Sequence, residues 1–315
     1  MDFERLRQFV MVAKRGSIGQ AAAALNITQP ALTRSLQRME KELGGRLFER
    51  GPRGVVPTAF GEAYMPYAQA ILNEAERAEA ELKAFKGLTK ARVRIGISPN
   101  FVSYIVPDAV RRLFAKHPGV TVSLATETYE NLTRMLRGYE IDVVFSQFYD
   151  NPANLDVAPG ENLRRETLFE SFSRAYVRAD HTLAKKRRAG LAELVKYEWA
   201  IPLQMSLVYR FEHAFRVAGH AGPVQKINTS SMSFMKSAVM DFGLPAVVPD
   251  HVVATEVAAG TVVALSAPEL IFDYQVGLSW RARGTHTPAM TALATLLREV
   301  SREKEPGARK PKSRN

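Results

Sequence analysis

Residues 28–44, TQPALTRSLQRMEKELG, carry the clearest structural signal in the chain. Thr28 can cap the start of a helix, and Pro30 falls in its first turn, where the missing N–H has no helical partner in any case. Gly44 then ends the helix. The apolar positions recur three and four residues apart and predict one buried stripe, formed by Leu32, Leu36, Met39 and Leu43.

The flanking sequence completes a small domain around this helix. Helices are predicted over residues 3–14 and 18–24, the second with Ser17 as its cap. After the central helix, short strands at 47–48 and 55–56 flank a glycine-rich turn. Three helices followed by a hairpin are typical of a winged helix-turn-helix.

A long helix is predicted from Thr58 to about Lys86. Its apolar positions are spaced alternately four and three residues apart in a heptad seam, formed by Tyr64, Ala68, Ile71, Ala75, Ala78, Leu82 and Phe85. The seam favours pairing with a second copy of the chain. Packing of the helix on its own domain is the alternative. Pro66 predicts a kink near its start.

The remainder of the chain alternates strands with helices, which predicts an α/β fold with a doubly wound, mostly parallel sheet. The predicted strands are Val93–Ile97, Val120–Leu124, Ile141–Phe145 and stretches near 173–177, 199–201, 246–248, 262–265 and 274–281. The last helix is predicted over 289–301. Residues 302–315 are basic and lack apolar periodicity, so we expect a disordered tail.

Composition narrows the possible partners. The 315 residues carry a net charge of +11, and the excess is concentrated at the two ends: ten Lys/Arg against five Asp/Glu in 1–57, and six against two in 302–315. This charge admits nucleic acid, an anionic membrane surface or acidic ligands as partners. A basic helix on a membrane surface is not favoured, because turns interrupt the N-terminal segment. No leader peptide or long apolar run is present, so we expect a cytoplasmic protein without a membrane partner.

Catalytic and metal motifs are weak throughout the sequence. The chain has no cysteine, which excludes disulfide scaffolds, thiol nucleophiles and cysteine-ligated metals. Residues 96–100 match only part of a G-x-S-x-G nucleophile elbow, and the Asp-Phe-Gly at 241–243 lacks the phosphate loop of a kinase. The six histidines show no metal-ligand spacing. We therefore expect no enzyme activity, no metal and no cofactor.

One long ordered motif runs through the N-terminal sequence: Phe9, Ala21, Ala22, Leu25, Thr28, Gln29, Pro30, Ala31, Leu32, Thr33, Leu36, Met39, Glu40, Leu43, Gly44, Leu47, Phe48, Arg50, Pro57, Thr58 and Gly61. This motif resembles the DNA-binding end of LysR-type transcriptional regulators. The resemblance is specific up to Phe60 and architectural after Gly87. At position 33 a threonine replaces the family's usual serine and keeps the hydroxyl.

The resemblance implies a winged helix-turn-helix, a linker helix and a two-lobed α/β effector domain like a periplasmic solute-binding protein. We assign a DNA-binding domain at 1–58, a dimerisation helix at 59–88, an effector-binding domain at 89–301 (lobe I 89–165 and 266–301, lobe II 166–265) and a tail at 302–315. A dimer presents two recognition helices, which matches an interrupted palindrome in double-stranded DNA. The resemblance further implies a homotetramer.

Candidate DNA contacts follow from the helix-turn-helix geometry. The first turns of its second helix meet base edges in the major groove, which here places Thr28, Gln29, Pro30, Thr33 and Arg34 at the bases. Glutamine can pair with adenine and arginine with guanine. Arg53 at the wing tip is a minor-groove candidate, and Arg50, Arg38 and Lys41 are phosphate candidates. For each arginine the alternative is a solvated surface charge.

The resemblance also places an effector site between the lobes, with crossings expected near Leu163–Thr167 and Leu265–Pro268. Its candidate residues are Ser98, Asn100, Phe101, Thr128, Gln147, Phe148, Gln204, Met205, Ser206, Thr229 and Ser230. Hydroxyls and free N–H groups at helix starts favour a small organic anion, with an aromatic body among the options. Helix caps and ordinary core packing are the alternatives for these residues. A solute-binding module without regulation and an α/β enzyme are the competing functional classes.

Overall fold

The computed structural model describes residues 2–51, 54–85, 91–148, 163–186, 188–282 and 286–304. The chain divides into two compact units, one made of 1–91 with 134–140 and the other of 92–133 with 141–315. Each unit is organised around its own secondary structure. In the described part of the chain, no helix is both long and apolar enough to span a bilayer.

The first unit contains the predicted winged helix-turn-helix followed by one long helix. Its elements are α1 (Phe3–Arg15), α2 (Ile18–Ala24), α3 (Gln29–Leu43), β1 (Phe48–Gly51), β2 (Gly54–Pro57) and α4 (Ala59–Phe85). The two strands pair antiparallel, with Phe48 opposite Pro57 and Gly51 opposite Gly54. The predicted order of three helices and a hairpin is therefore confirmed.

Two glycines fix the wing against the end of α1. Gly16 adopts a left-handed conformation with φ of 62° and ends α1, and its carbonyl accepts a hydrogen bond from the Val55 N–H at 2.9 Å. A Cβ at Gly54 would lie 2.4 Å from that same carbonyl oxygen. Because no side chain tolerates this approach, glycine is required at position 54.

The first half of the heptad seam packs on its own domain. Ala68 is fully buried in the core of this unit, and Tyr64 packs on Phe9 with ring centroids 5.5 Å apart. Ile71 is half-buried against the same core. The expectation that the whole seam faces a second chain is therefore wrong for these positions. Leu82 remains 64% exposed, and the side chain of Phe85 lies outside the described residues.

The second unit is a mixed α/β structure. Its first elements are β3 (Arg92–Ile97), α5 (Val106–Lys116), β4 (Thr121–Thr126), α6 (Tyr129–Arg137), β5 (Val143–Phe148) and β6 (Leu163–Arg178). It continues with α7 (Leu191–Leu194), β7 (Trp199–Pro202), α8 (Met205–Val217), β8 (Gln225–Thr229), α9 (Met232–Met240) and β9 (Ala246–Pro249). It ends with α10 (Ala254–Ala258), β10 (Val262–Ala264), β11 (Phe272–Arg281) and α11 (Pro288–Lys304).

One sheet runs through this unit in the order β4-β3-β5-β11-β6-β9-β7-β8, and β10 also pairs with β6. Strands β3 to β5, which define lobe I, pair in parallel, and so do β7, β8 and β9 of lobe II. The long strands β6 and β11 pair antiparallel with each other and with their neighbours in both lobes. The two-lobed α/β fold is thus confirmed, with β6 and β11 as its two crossings.

The crossings differ from the predicted positions. Strand β11 pairs with β5 over Gln275–Ser279, whereas β6 pairs with β9 over Ser173–Tyr176. Each transition therefore lies several residues later than 163–167 and 265–268. The two crossings are long central strands of one continuous sheet, so the point at which each passes between the lobes depends on pairing with strands that are distant in sequence.

The last helix extends further than predicted. Helix α11 continues to Lys304, so the expected disorder from residue 302 is wrong for the first three residues of the tail. The Lys304 ammonium donates to the Tyr104 carbonyl at 2.7 Å, and the Tyr104 hydroxyl donates to the Lys304 carbonyl at 2.7 Å. These two long-range bonds hold the end of the helix. Residues 305–315 of the predicted tail lie outside the described residues.

Candidate functional site

The start of α3 presents polar side chains to solvent. Thr28 caps the helix, its Oγ1 accepting from the Ala31 N–H at 3.4 Å. Thr28, Gln29, Pro30 and Arg34 are exposed, and Thr33 is half-buried. The opposite side of the same helix is buried through the apolar residues Leu32, Leu36 and Met39. The predicted base-reading residues therefore share one accessible end of the helix.

The basic side chains predicted to contact DNA differ in their availability. Arg34 has no ion pair or hydrogen bond with the described residues, whereas the Arg38 Nε lies 3.4 Å from the Glu42 Oε1. The Arg38 side chain is nonetheless 71% exposed, and Lys41 is exposed as well. Arg53 and the side chain of Arg50 lie outside the described residues.

An interlobe cleft opens where strands of both lobes end. The space between its walls, counted with the open mouth included, is about 470 Å³. Its lining comprises Ser98, Pro99, Asn100, Thr128, Tyr129, Gln147, Ser173, Pro202, Leu203, Gln204, Leu207, Ser230, Met232 and Pro249. The cleft therefore brings together six of the residues named from the sequence: Ser98, Asn100, Thr128, Gln147, Gln204 and Ser230.

The other five named residues do not line it. Phe101 is fully buried and packs edge-on against Phe145, with ring centroids 5.1 Å apart. Phe148 is buried against the ring of Tyr129. Met205, the first residue of α8, is 80% exposed, and Ser206 follows it in the same turn. The side chains that were expected to cover an apolar ligand are therefore either packed in the core or exposed to solvent.

Thr229 also has a local structural role. Its Oγ1 accepts from the Ser231 N–H at 3.1 Å, which closes the turn that leads into α9. The cap of α9 is Ser231, whose Oγ accepts from the Phe234 N–H at 3.2 Å. The neighbouring Ser230 is the member of this turn that reaches the cleft.

Ser98 lies in the cleft but not at the anion-binding helix start that was expected. Its N–H donates to the Phe145 carbonyl at 3.2 Å, and its hydroxyl is paired with the Ser146 hydroxyl. The helix that follows is a single 3-10 turn beginning at Pro99, which has no N–H. A cluster of free N–H groups at this point is therefore absent, and the expectation of one is wrong.

The described lining of the cleft combines polar and apolar side chains and carries no charge. Among the described residues that line it there is no Asp, Glu, Lys, Arg or His. Three buried polar atoms in the lining have no hydrogen-bond partner among the residues that the structure describes: Asn100 Oδ1, Gln147 Oε1 and Ser173 Oγ. Since a buried polar atom without a partner costs roughly 1–3 kcal/mol, a ligand that satisfies these atoms gains affinity.

Several lining residues were missed from the sequence. Ser173 lies in β6, where Phe169, Ser171, Ser173 and Ala175 alternate as buried positions. A serine at an inward position of an otherwise apolar alternation is the signal that could have identified it. Leu207 and Met232 follow the helical pattern of α8 and α9, and nothing local distinguishes them from core residues.

Comparisons with known proteins agree with this architecture. Residues 3–62 match the model for bacterial regulatory helix-turn-helix proteins of the lysR family, and residues 86–302 match the LysR substrate binding domain. The chain is 30% identical to the SDS degradation transcriptional activation protein of Pseudomonas sp. (strain ATCC 19151), over 94% of this chain and 95% of that protein. It is 31% identical to the HTH-type transcriptional regulator GbpR of Rhizobium radiobacter, over 90% and 91% respectively.

A solved structure shows the same fold. Full-length CbnR in complex with its target DNA matches with a TM-score of 0.65 at 21% identity, covering 95% of this chain and all of that one. Two family models span nearly the full sequence in the order that the structure shows. The chain therefore belongs to the LysR family of transcriptional regulators, with a helix-turn-helix DNA-binding domain and an effector-binding domain.

Proposed function

We propose that this protein is a ligand-responsive regulator that reads an interrupted palindrome through α3 and binds a small organic anion in the interlobe cleft. The observation that carries the proposal is the lining of hydroxyls and carboxamides, which among its described residues contains no Asp or Glu. A regulator of this kind acts where the DNA is, so we place it in the cytoplasm.

The chemistry of the lining supports an anion held by neutral donors. Ser98, Thr128 and Ser230 supply hydroxyls, and Gln147 and Gln204 form a carboxamide pair at 3.0 Å. If the amide groups of both glutamines are rotated by 180°, the Gln147 oxygen accepts the hydrogen bond from Gln204 and the Gln147 amino group is left to face the ligand. That amino group can donate to a carboxylate. No acidic side chain in the described lining repels a negative charge.

The apolar part of the lining suits a compact organic body. Tyr129, Leu207 and Met232 contribute ring and aliphatic surface beside the polar wall. We therefore keep an aromatic body among the options for the effector.

The exposed Leu82 near the end of α4 supports a homodimer through that helix, and we propose a tetramer through a second interface.

Two binding experiments test the proposal. In a gel shift with the DNA upstream of the protein's own gene, we expect Gln29→Ala to lower affinity by about 1–3 kcal/mol. Gln37→Ala, which changes an exposed glutamine of the same helix two turns later, should bind as the wild type does. Retention of full affinity by Gln29→Ala would contradict base reading at this position.

The effector class is tested with matched neutral and anionic probes. Benzoate and benzamide share shape but differ in charge, so we compare their effects on the melting temperature of the full chain. A ligand that binds only the folded state raises that temperature. We expect carboxylates of this size to stabilise and amides not to. Stabilisation by the amides alone would overturn the anionic effector while leaving the regulator class intact.

A solute-binding module without regulation fits the second unit alone. It does not account for the exposed polar start of α3 or for the family match over residues 3–62. An α/β enzyme fits the sheet, but the family is one of transcriptional regulators. The gel shift distinguishes all three classes, because only the regulator binds its own upstream DNA with sequence preference.

A further inference from the structure

His251 joins the two lobes through its ring. The residue follows β9 in a single 3-10 turn of lobe II, yet its imidazole stacks on two aromatic rings of lobe I. The ring centroid of Phe101 is 5.2 Å away at an interplanar angle of 15°, and that of Tyr104 is 4.6 Å away at 18°. We call Phe101, His251 and Tyr104 the ring stack.

A hydrogen bond fixes the imidazole within the ring stack. The His251 Nε2 lies 2.9 Å from the Asn100 carbonyl oxygen. Since a carbonyl only accepts, Nε2 carries the proton and donates. Burial lowers the pKa of His251 to about 4, so the ring is neutral near pH 7. Asn100 lines the interlobe cleft, and the bond therefore connects His251 of lobe II to a wall residue contributed by lobe I.

Both ends of this connection are anchored within their own lobes. On the lobe II side, the neighbouring Asp250 accepts from the Tyr176 hydroxyl at 2.8 Å and lies 3.2 Å from the Arg174 Nε. On the lobe I side, Phe101 packs edge-on against Phe145. The Phe145 carbonyl in turn accepts a hydrogen bond from the Ser98 N–H. Movement of one lobe relative to the other must therefore disturb the ring stack.

We infer that His251 is a positioning residue of the effector site: it holds the Ser98–Phe101 wall of the cleft and sets the lobe separation at which an effector binds. The inference rests on the proposed function, because it concerns the same cleft. It acts through Asn100 and the ring stack, and His251 itself is absent from the described lining. The three rings pack against one another at one separation of the lobes, and this packing therefore favours that separation.

The test measures the lobe separation directly. The chain has no cysteine, so Glu130→Cys in lobe I and Ser233→Cys in lobe II, both exposed positions, introduce two unique sites for spin labels. Labelled full-length chains are diluted with unlabelled chains so that each assembly carries one pair. The distance distribution is then recorded without effector in the wild type, His251→Phe, His251→Gln and His251→Ala.

We expect a single narrow distance in the wild type and in His251→Phe, because phenylalanine keeps a planar ring in the stack. His251→Gln and His251→Ala should at least double the width of the distribution or add a second distance. His213→Ala is the matched control, because His213 stacks on Tyr209 within α8 of lobe II. If His251→Ala does not fold, the contrast between His251→Phe and His251→Gln decides the question.

An unchanged narrow distribution in both His251→Gln and His251→Ala would overturn the inference, as would equal broadening in His213→Ala. Because no effector is present, these results do not depend on whether the cleft takes an anion. Addition of benzoate as a probe then separates the two proposals. A lobe distance that His251 keeps narrow and that benzoate leaves unchanged supports the role of His251 and removes benzoate from the candidate effectors.

Discussion

Gln147 of lobe I and Gln204 of lobe II are joined across the cleft by a hydrogen bond in which Gln147 Nε2 donates to Gln204 Oε1 at 3.0 Å. Gln147 is only 8% exposed, and its own oxygen has no hydrogen-bond partner in the described part of the chain. The pair therefore ties the lobes together and at the same time leaves a buried polar atom for a ligand. An effector that replaces the partner of either carboxamide changes the relative stability of open and closed lobes.

Removal of one member of this pair should destabilise the fold more than removal of both. We expect Gln204→Ala to lower the free energy of unfolding by about 1–3 kcal/mol, because the buried Gln147 amide loses its acceptor. The double variant Gln147→Leu/Gln204→Leu should lose less, since neither polar group remains. Thermal unfolding of the single and double variants measures this coupling. Additive losses would show that the two side chains act independently.

Base reading by Arg34 should be separable from phosphate binding by Lys41. We expect Arg34→Ala to cost about 1–3 kcal/mol at the cognate site and to relax sequence preference, because an exposed arginine at this end of α3 can pair with guanine. Lys41→Ala should weaken cognate and random DNA alike. Both affinities are measured by titration at fixed salt. An equal loss on the two DNAs for Arg34→Ala would exclude its base contact.

Dimerisation through α4 should depend on the exposed second half of the seam. Leu82 is 64% exposed, so Leu82→Glu should lower the assembled mass in light scattering without lowering the melting temperature. Ile71→Glu cannot make this distinction, because Ile71 packs on the core of its own domain. Tyr67→Glu is the control, since Tyr67 is 68% exposed on α4 but lies off the seam. Dissociation by Tyr67→Glu alone would place the interface on another face.

The end of α11 should be required for stability, whereas the residues beyond it should not. Lys304 donates to the Tyr104 carbonyl and lies 2.6 Å from the Asp108 Oδ2, and this ammonium lowers the pKa of Asp108. Truncation after Ser301 removes these contacts and should lower the melting temperature by several degrees. Truncation after Glu305 should leave it unchanged. Equal melting temperatures for the two truncated chains would show that Lys304 contributes nothing.

The sequence was sufficient where the interactions are local. Thr28, Pro30 and Gly44 specify α3 through contacts within a few residues, and the structure confirms that helix. The role of Ser98 was not predictable in the same way, because its N–H donates a hydrogen bond to the carbonyl of Phe145, which lies on another strand. Phe101 was misassigned for a similar reason: its partner His251 is distant in sequence, and only the paired lobes bring their rings together.

The burial of His251 determines the sign of a pH effect on stability. Burial lowers the pKa of its imidazole to about 4, below the ordinary value of roughly 6.5 that holds in an unfolded chain. Between these values the unfolded state binds more protons, so stability is complete above pH 6.5 and decreases as the pH falls toward 4. At 1.36 kcal/mol per pKa unit, the decrease in the free energy of unfolding approaches roughly 3 kcal/mol. His251→Phe lacks this titration and keeps the carboxylates, so between pH 7 and pH 4 the wild type should lose more stability than the variant does. Parallel profiles of unfolding free energy against pH would mean that the imidazole protonates as readily in the folded chain as in the unfolded one.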